Sequence, residues 1–187
     1  MGFLERKSVN TVQEYFTPRQ CGGVSGYTDQ KYGLLNRYKH QTPWLSVGIG
    51  ETGLEYEADL FCDFTFAPLR RQRLPWYRVT QADVQELPYQ AGSIGLVSAL
   101  SMLYYVPDQA RAVDEIGRVL TPGGRAILEF LGWSLRAVHS MWKYPLQHYP
   151  LWPYQIRHLL REWKIIEWHR MLCDVQPAKH LLVVEHG

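Results

Sequence analysis

The chain has 187 residues, of which 46% are hydrophobic, 20% charged and 13% aromatic, a composition that fits a folded globule and excludes an extended polar chain. Its length suits a single domain over residues 1–187, and a net charge of +2 is far below the basic excess that neutralises a run of nucleic-acid phosphates, so no nucleic-acid partner is expected. No apolar stretch approaches about eighteen residues, and Glu5, Arg6, Lys7 and Glu14 interrupt any secretory signal core, so a cytoplasmic chain without integral membrane association is expected. Cys21, Cys62 and Cys173 form no CxxC pair and the 7 histidines show no short ligand spacing, so neither a disulfide framework nor a metal site is expected.

In chain order, Trp44 to Val47 is an apolar run entered from Pro43 and left at Gly48, the pattern of a buried strand feeding a tight turn. Ala58 to Phe64 and Trp76 to Thr80 are weaker strand candidates, separated by Arg70, Arg71 and Arg73. Ile94 to Leu100 reads as a fully buried strand of a parallel sheet. Asp108 then N-caps a helix whose apolar positions Val113, Ile116, Val119 and Leu120 recur at helical spacing, and Pro122-Gly123-Gly124 is expected to end it. Arg125 to Phe130 follows as a strand. A strand, a helix and a strand with short links form a βαβ unit, which requires a parallel sheet and sets the class as α/β.

Downstream, Ile156, Leu159, Leu160 and Trp163 fall at i, i+3, i+4 and i+7 and predict a helix docked on the sheet, with Lys164 to Met171 and His180 to Glu185 as closing strands. Between these parts, residues 133–154 carry Trp133, Trp142, Tyr144, Tyr149, Trp152 and Tyr154 together with Pro145, Pro150 and Pro153. Three prolines exclude one continuous helix, and the segment is the candidate lid or insertion.

The first candidate site is the GxGxxG pattern Gly48-Ile49-Gly50-Glu51-Thr52-Gly53, directly after a predicted strand. Its glycines permit a sharp turn and close approach of backbone N–H groups to a ligand; a glycine-rich turn with no ligand is the plain alternative. A dinucleotide fold demands a helix after the glycines and an acid roughly twenty residues on. Leu54 to Asp59 leaves hardly one helical turn, and Asp63 comes only about ten residues after Gly53. NAD and FAD are therefore disfavoured.

The stretch QADVQELPYQAGSIGLVSALSMLYYVPDQARAVDEIGRVLTPGGRAILEF, Gln81 to Phe130, resembles the middle of class I S-adenosylmethionine-dependent methyltransferases of the small-molecule type. It shows in order the family's Ala-Asp-x-x-x-Leu-Pro turn, its fourth strand with the acceptor-side loop, and the helix closing in Arg-Val-Leu-x-Pro-Gly-Gly. The likeness extends more loosely from about Trp44 to the C-terminus. It implies a Rossmann-like sandwich, mostly parallel with an antiparallel C-terminal strand, and S-adenosyl-L-methionine as cofactor.

Carried over by position, the resemblance places Gly48 and Gly50 under the methionine portion of the cofactor, and Asp63 on the ribose hydroxyls. Asp83, with Val84 beside it, would accept from the adenine amino group, and Ala99 to Met102, including Ser101, would line the methionine and face the acceptor. Carboxylates are pure acceptors and suit both hydroxyl and amine donors, although Asp83 also reads as the cap of the Leu87-Pro88 turn and Asp63 as a surface acid near Arg70. Where the family carries an acid at the end of the first strand, this chain has Ser46, and the helix of the first crossover is shortened.

Methyl transfer is an in-line displacement, so alignment and, for a protic acceptor, proton removal are the protein's tasks. Tyr104, Tyr105, His139 and His148 are the candidate bases, each with a plain packing or surface alternative. Tyr15, Phe16, Tyr27 and Tyr32 are candidates to close over the cofactor. The aromatics of residues 133–154 point to a small-molecule acceptor of planar or lipid-like kind, with O, N or C left open, or else simply cover the sheet. A catalytically silent methyltransferase-like binding or scaffold protein is the alternative, motivated by Ser46 and the shortened crossover.

Overall fold

The structure is a computed structural model and describes residues 25–49, 57–65, 74–133, 142, 149–171 and 178–187. Among these residues, β1 (Trp44–Val47), β2 (Leu60–Asp63), β3 (Val79–Gln81), β4 (Ile94–Ala99), β5 (Leu120–Leu131), β6 (Trp163–Met171) and β7 (Lys179–His186) form one sheet in the order β3-β2-β1-β4-β5-β7-β6. All pairings from β3 to β5 are parallel, and β7 runs antiparallel to both β5 and β6. The mostly parallel α/β sheet with one reversed C-terminal strand is thus the architecture observed.

The central strands are apolar throughout because both faces are covered: every residue of β1 and of β4 is buried. Alternate side chains enter opposite cores, so Leu96 and Ile127 join one and Val97 and Leu128 the other. On the first face lies α1 (Ser25–Tyr38), contributing Leu34, Leu35 and Tyr38. On the second lie α2 (Gln109–Val119) and α3 (Pro153–Leu159), contributing Val113, Ile116 and Ile156.

Asp108 caps α2 as the sequence predicts, its side chain accepting from the Arg111 N–H at 3.0 Å. Asp108→Ala is expected to lower stability by about 1 kcal/mol, measured as a shift of the urea unfolding midpoint at unchanged slope. The helix ends earlier than expected, however. Leu120 already has extended backbone, and Pro122-Gly123-Gly124 belongs to the first part of β5. The physical reason is that proline disfavours helical backbone in the residue before it, here Thr121, so the chain turns into the strand ahead of the ring.

Three further boundaries differ. Trp76–Arg78 is a single 3-10 turn and β3 begins only at Val79. The Ile156 stripe does not run through one helix: α3 stops at Leu159 and Trp163 opens β6, because apolar spacing alone does not mark where a helix gives way to a strand. Pro153 and Tyr154 belong to α3 rather than to the candidate insertion; residues 134–141 and 143–148 of that insertion lie outside the described residues.

Residues 48–59 link the parallel neighbours β1 and β2, and residues 50–56 of that link lie outside the described set. The face of β2 is nevertheless sealed: Phe61 is fully buried, with the Arg78 guanidinium 5.2 Å from its ring centroid. Arg78 is held there by hydrogen bonds to the carbonyls of Ala58 and of Asp59, the latter at 2.8 Å. No helix among the described residues is long and apolar enough to cross a membrane.

Candidate functional site

β1, β2 and β4 end level, with Val47 opposite Cys62 on one side and Ala99 on the other, and Asp63 is opposite Gln81 of β3. The strand order reverses at the β1/β4 boundary, the place where open α/β sheets form a crevice beyond the carboxyl ends of their strands. Gly48, Asp63, Asp83 and Ser101 all lie at or just past this edge.

Gly48 has φ +71, donates its N–H to the Cys62 carbonyl at 2.8 Å, and faces Met102 so closely that an added Cβ would stand 2.5 Å from the Met102 Cβ. The turn and Met102 already require glycine here. Asp63 is 9% exposed, and its Oδ1 accepts from the Thr65 N–H at 2.8 Å and the Thr65 hydroxyl at 3.1 Å. These short-range bonds fix the carboxylate at the tip of β2, where an acceptor-only group suits the hydroxyl donors of a diol.

Asp83 sits at the start of a turn that it caps itself: Oδ1 accepts from the Gln85 N–H at 2.9 Å, and the Gln85 amide donates to both carboxylate oxygens. The turn is also bolted to α2. Glu115 accepts from the Leu87 N–H at 3.0 Å, while Arg118 donates to the carbonyls of Leu87 and Tyr89 at 2.8 and 2.9 Å and pairs with Glu115. The arginine of Arg118-Val119-Leu120 therefore holds the acidic turn, and Val84 is buried in the core beneath it.

Ser46 is fully buried within β1, opposite Phe61 and Ser98, and Ala99 is fully buried at the end of β4. Tyr104 is buried and Tyr105 half-buried in the short turn Leu103–Tyr105, their rings 4.6 Å apart. Gly50, His139 and His148 lie outside the described residues, as do Tyr15, Phe16 and the side chain of Tyr27; Tyr32 is exposed on α1. Trp142 is 84% exposed.

Where the chain leaves and re-enters the insertion, Tyr149 donates its N–H to the Tyr104 carbonyl at 2.8 Å, and Gln109 donates to the Tyr149 carbonyl at 2.8 Å. Trp133 stacks on Trp152 at 5.8 Å. Beside these rings lies an open cavity of about 380 Å³, lined by Pro107, Gln109, Trp133, Tyr149 and Leu159 among others.

One group of side chains went unread in the sequence. Glu129, fully buried near the end of β5, pairs with Lys31 of α1 at 2.5 Å and with Lys179 of β7 at 2.7 Å. It also accepts from the Ser101 N–H at 3.1 Å and the Ser101 hydroxyl. Burial alone pushes this carboxyl up, but the two ammonium groups, Lys179 first and then Lys31, outweigh it and hold it well below the usual carboxylate range. The available signal was a single acid inside the apolar run Ala126 to Leu131. Among the described residues, no group of three or more His, Cys, Asp or Glu could hold a metal ion.

Cys62, fully buried one residue before Asp63, has its thiol pushed up to about 12, by burial first and then by the neighbouring carboxylate. It should resist alkylation in the folded protein at pH 8 and react once denaturant unfolds it, read residue by residue by mass spectrometry; fast native labelling of Cys62 would contradict its burial.

A family model described as a methyltransferase domain matches residues 48–128. Among curated proteins, the 27-O-demethylrifamycin SV methyltransferase of Amycolatopsis mediterranei is 45% identical over 47 residues, 25% of this chain and 17% of that protein. The demethylmenaquinone methyltransferase of Streptomyces avermitilis is 33% identical over 69 residues, 36% of this chain and 30% of that protein. The chain thus spans less than a third of the length of these relatives. Among solved structures, the 1,6-didemethyltoxoflavin-N1-methyltransferase of Burkholderia thailandensis, with bound 1,6-didemethyltoxoflavin and S-adenosylhomocysteine, has TM-score 0.67 at 14% identity, covering 95% of this chain and 86% of that one. The [4+2]-cyclase SpnF has TM-score 0.64 at 16% identity, covering 84% and 81%. These likenesses concern the fold, and the cyclase among them illustrates that a fold does not name a reaction.

Proposed function

We propose that the protein transfers a methyl group from S-adenosylmethionine to a small ring-bearing acceptor, on the premise that residues 48–128 match a methyltransferase domain and sit in a Rossmann-like, mostly parallel sheet. The observation that carries this reading is the level ending of β1, β2 and β4, with Asp63 and the Asp83 turn, both inside the matched segment, at the same edge.

The donor set suits the cofactor. Asp63 would take the ribose hydroxyls, the Asp83-Val84 turn the adenine edge, and Gly48 with the Ala99 to Met102 loop the methionine end. When bound, the cofactor supplies an electrophilic methyl group for in-line displacement. The chain's own residues then have to orient the acceptor and exclude water, and the open cavity beside Trp133 and Tyr149, tied by backbone to Tyr104, offers an apolar wall for that. A protic acceptor also has to give up a proton, for which Tyr104 and Tyr105 stand on the loop after β4, with His139 as the further candidate from the insertion. The names of the relatives, which act on 27-O-demethylrifamycin SV and demethylmenaquinone, support an acceptor of small-molecule size.

The experiment is transfer of labelled methyl from S-adenosylmethionine to a panel of quinols, phenols and heteroaromatic amines. Methylation of at least one class is expected. Tight binding of S-adenosylhomocysteine with no transfer to any class would instead support the catalytically silent alternative.

A further inference from the structure

We propose that Glu129 is a positioning residue: gripped by Lys31 and Lys179, it holds Ser101 in the left-handed conformation that seats Met102 on Gly48, and so shapes the methionine end of the cofactor crevice. This rests on the methyl-transfer reading above for what the crevice binds, though not for the geometry.

Ser101 has φ +56, a region that non-glycine residues enter only when surrounding contacts enforce it. Those contacts come from one place. The Glu129 carboxylate accepts the Ser101 N–H at 3.1 Å and lies 3.2 and 3.3 Å from its hydroxyl, while the Lys31 ammonium donates to that hydroxyl at 2.7 Å. The serine hydroxyl is thereby oriented, accepting from Lys31 and donating to Glu129. The next residue, Met102, is the one that fills the space a side chain at Gly48 would need.

The cluster draws on separate parts of the chain: Lys31 from α1, Ser101 from the loop after β4, Glu129 from β5 and Lys179 from β7. Stability is a poor reason for such an arrangement, since buried ion clusters are commonly matched or exceeded by apolar side chains of similar volume. What ions supply here and methylene groups do not is directional hydrogen bonding to Ser101, at the strand tips where β1 and β4 part. The cluster therefore sets backbone geometry at the crevice.

The test replaces the three charged partners together with apolar side chains of similar length, Lys31→Met, Glu129→Met and Lys179→Met, and compares this variant with the wild-type chain. Thermal unfolding should stay within a few degrees. Amide exchange at Ser101 and Met102, measured without cofactor, should speed up by about tenfold or more, and S-adenosylhomocysteine should bind about tenfold more weakly by calorimetry. Adding Ser101→Gly to the triple variant should recover most of the lost affinity, because glycine adopts this backbone unaided. Unchanged exchange and affinity in the triple variant, or no recovery with glycine, overturns the proposal. Should the triple variant fail to fold, Ser101→Val in the otherwise native chain serves instead, since a β-branched residue resists the left-handed region; native affinity there overturns it too. A wild-type chain that ignores S-adenosylhomocysteine would reject the methyl-transfer reading alone, and the exchange comparison would still decide the role of Glu129.

Discussion

Glu129→Ala is expected to lower the unfolding free energy by about 3–5 kcal/mol, because it leaves two buried ammonium groups facing a void in place of their carboxylate. The contrast with the triple methionine variant is the informative part. Removing one partner strands the others, whereas removing all three withdraws charge and desolvation together. Denaturant unfolding checks both, and a loss below about 1 kcal/mol in Glu129→Ala would contradict the ion cluster.

The same carboxylate also gives a pH dependence of defined sign. Its folded value lies below the ordinary 4.5, so the folded state binds fewer protons than the unfolded chain. The stabilisation it gives is fully present above about pH 4.5 and fades as the pH falls towards the depressed folded value. Glu129→Ala should accordingly flatten the acid limb of the stability curve.

Gly48→Ala is the second large effect. A side chain at φ +71 costs about 1–2 kcal/mol in backbone strain. The collision with Met102 adds about 1–3 kcal/mol of overpacking, because the new Cβ would stand 2.5 Å from the Met102 Cβ. Met102→Gly in the same chain, which also removes the Cβ that alanine would keep, should recover the steric part and leave the strain. Full recovery would show that the left-handed turn matters little, and no recovery would show that Met102 is not what confines Gly48. Unfolding midpoints of the single and double variants separate these outcomes.

What the sequence made legible follows from which forces act over short range. β1 and β4 could be read because both faces are covered and their apolar runs are unbroken, and α2 because its cap, its stripe and its turn residues all lie within fifteen or so positions. α1 could not. Its buried positions Lys31, Leu34, Leu35 and Tyr38 do fall at i, i+3, i+4 and i+7, yet the first is a lysine, and only the distant Glu129 makes an inward lysine tolerable. Glu129 was hidden for the matching reason: an acid in an apolar run looks like an interruption until β7 and α1 bring two cations to it.

The candidate site divides along the same line. The glycine turn and the acidic turn were visible as short motifs, whereas their support was not, since Arg118 and Glu115 reach the Leu87 and Tyr89 backbone from a helix some thirty positions away. Ser46, read as a strand-end group, is the penultimate residue of β1 and fully buried, a burial that depends on the register with β2 and β4 rather than on residue type.

Isothermal titration of the wild-type chain and of Asp63→Ala with S-adenosylhomocysteine tests most directly whether the strand tips form a nucleoside site. The account predicts saturable one-to-one binding to the wild-type chain, weakened at least tenfold in Asp63→Ala, about the 1.5–3 kcal/mol carried by hydrogen bonds to a charged acceptor. Absence of binding at millimolar ligand, or equal affinity in the two proteins, would contradict it.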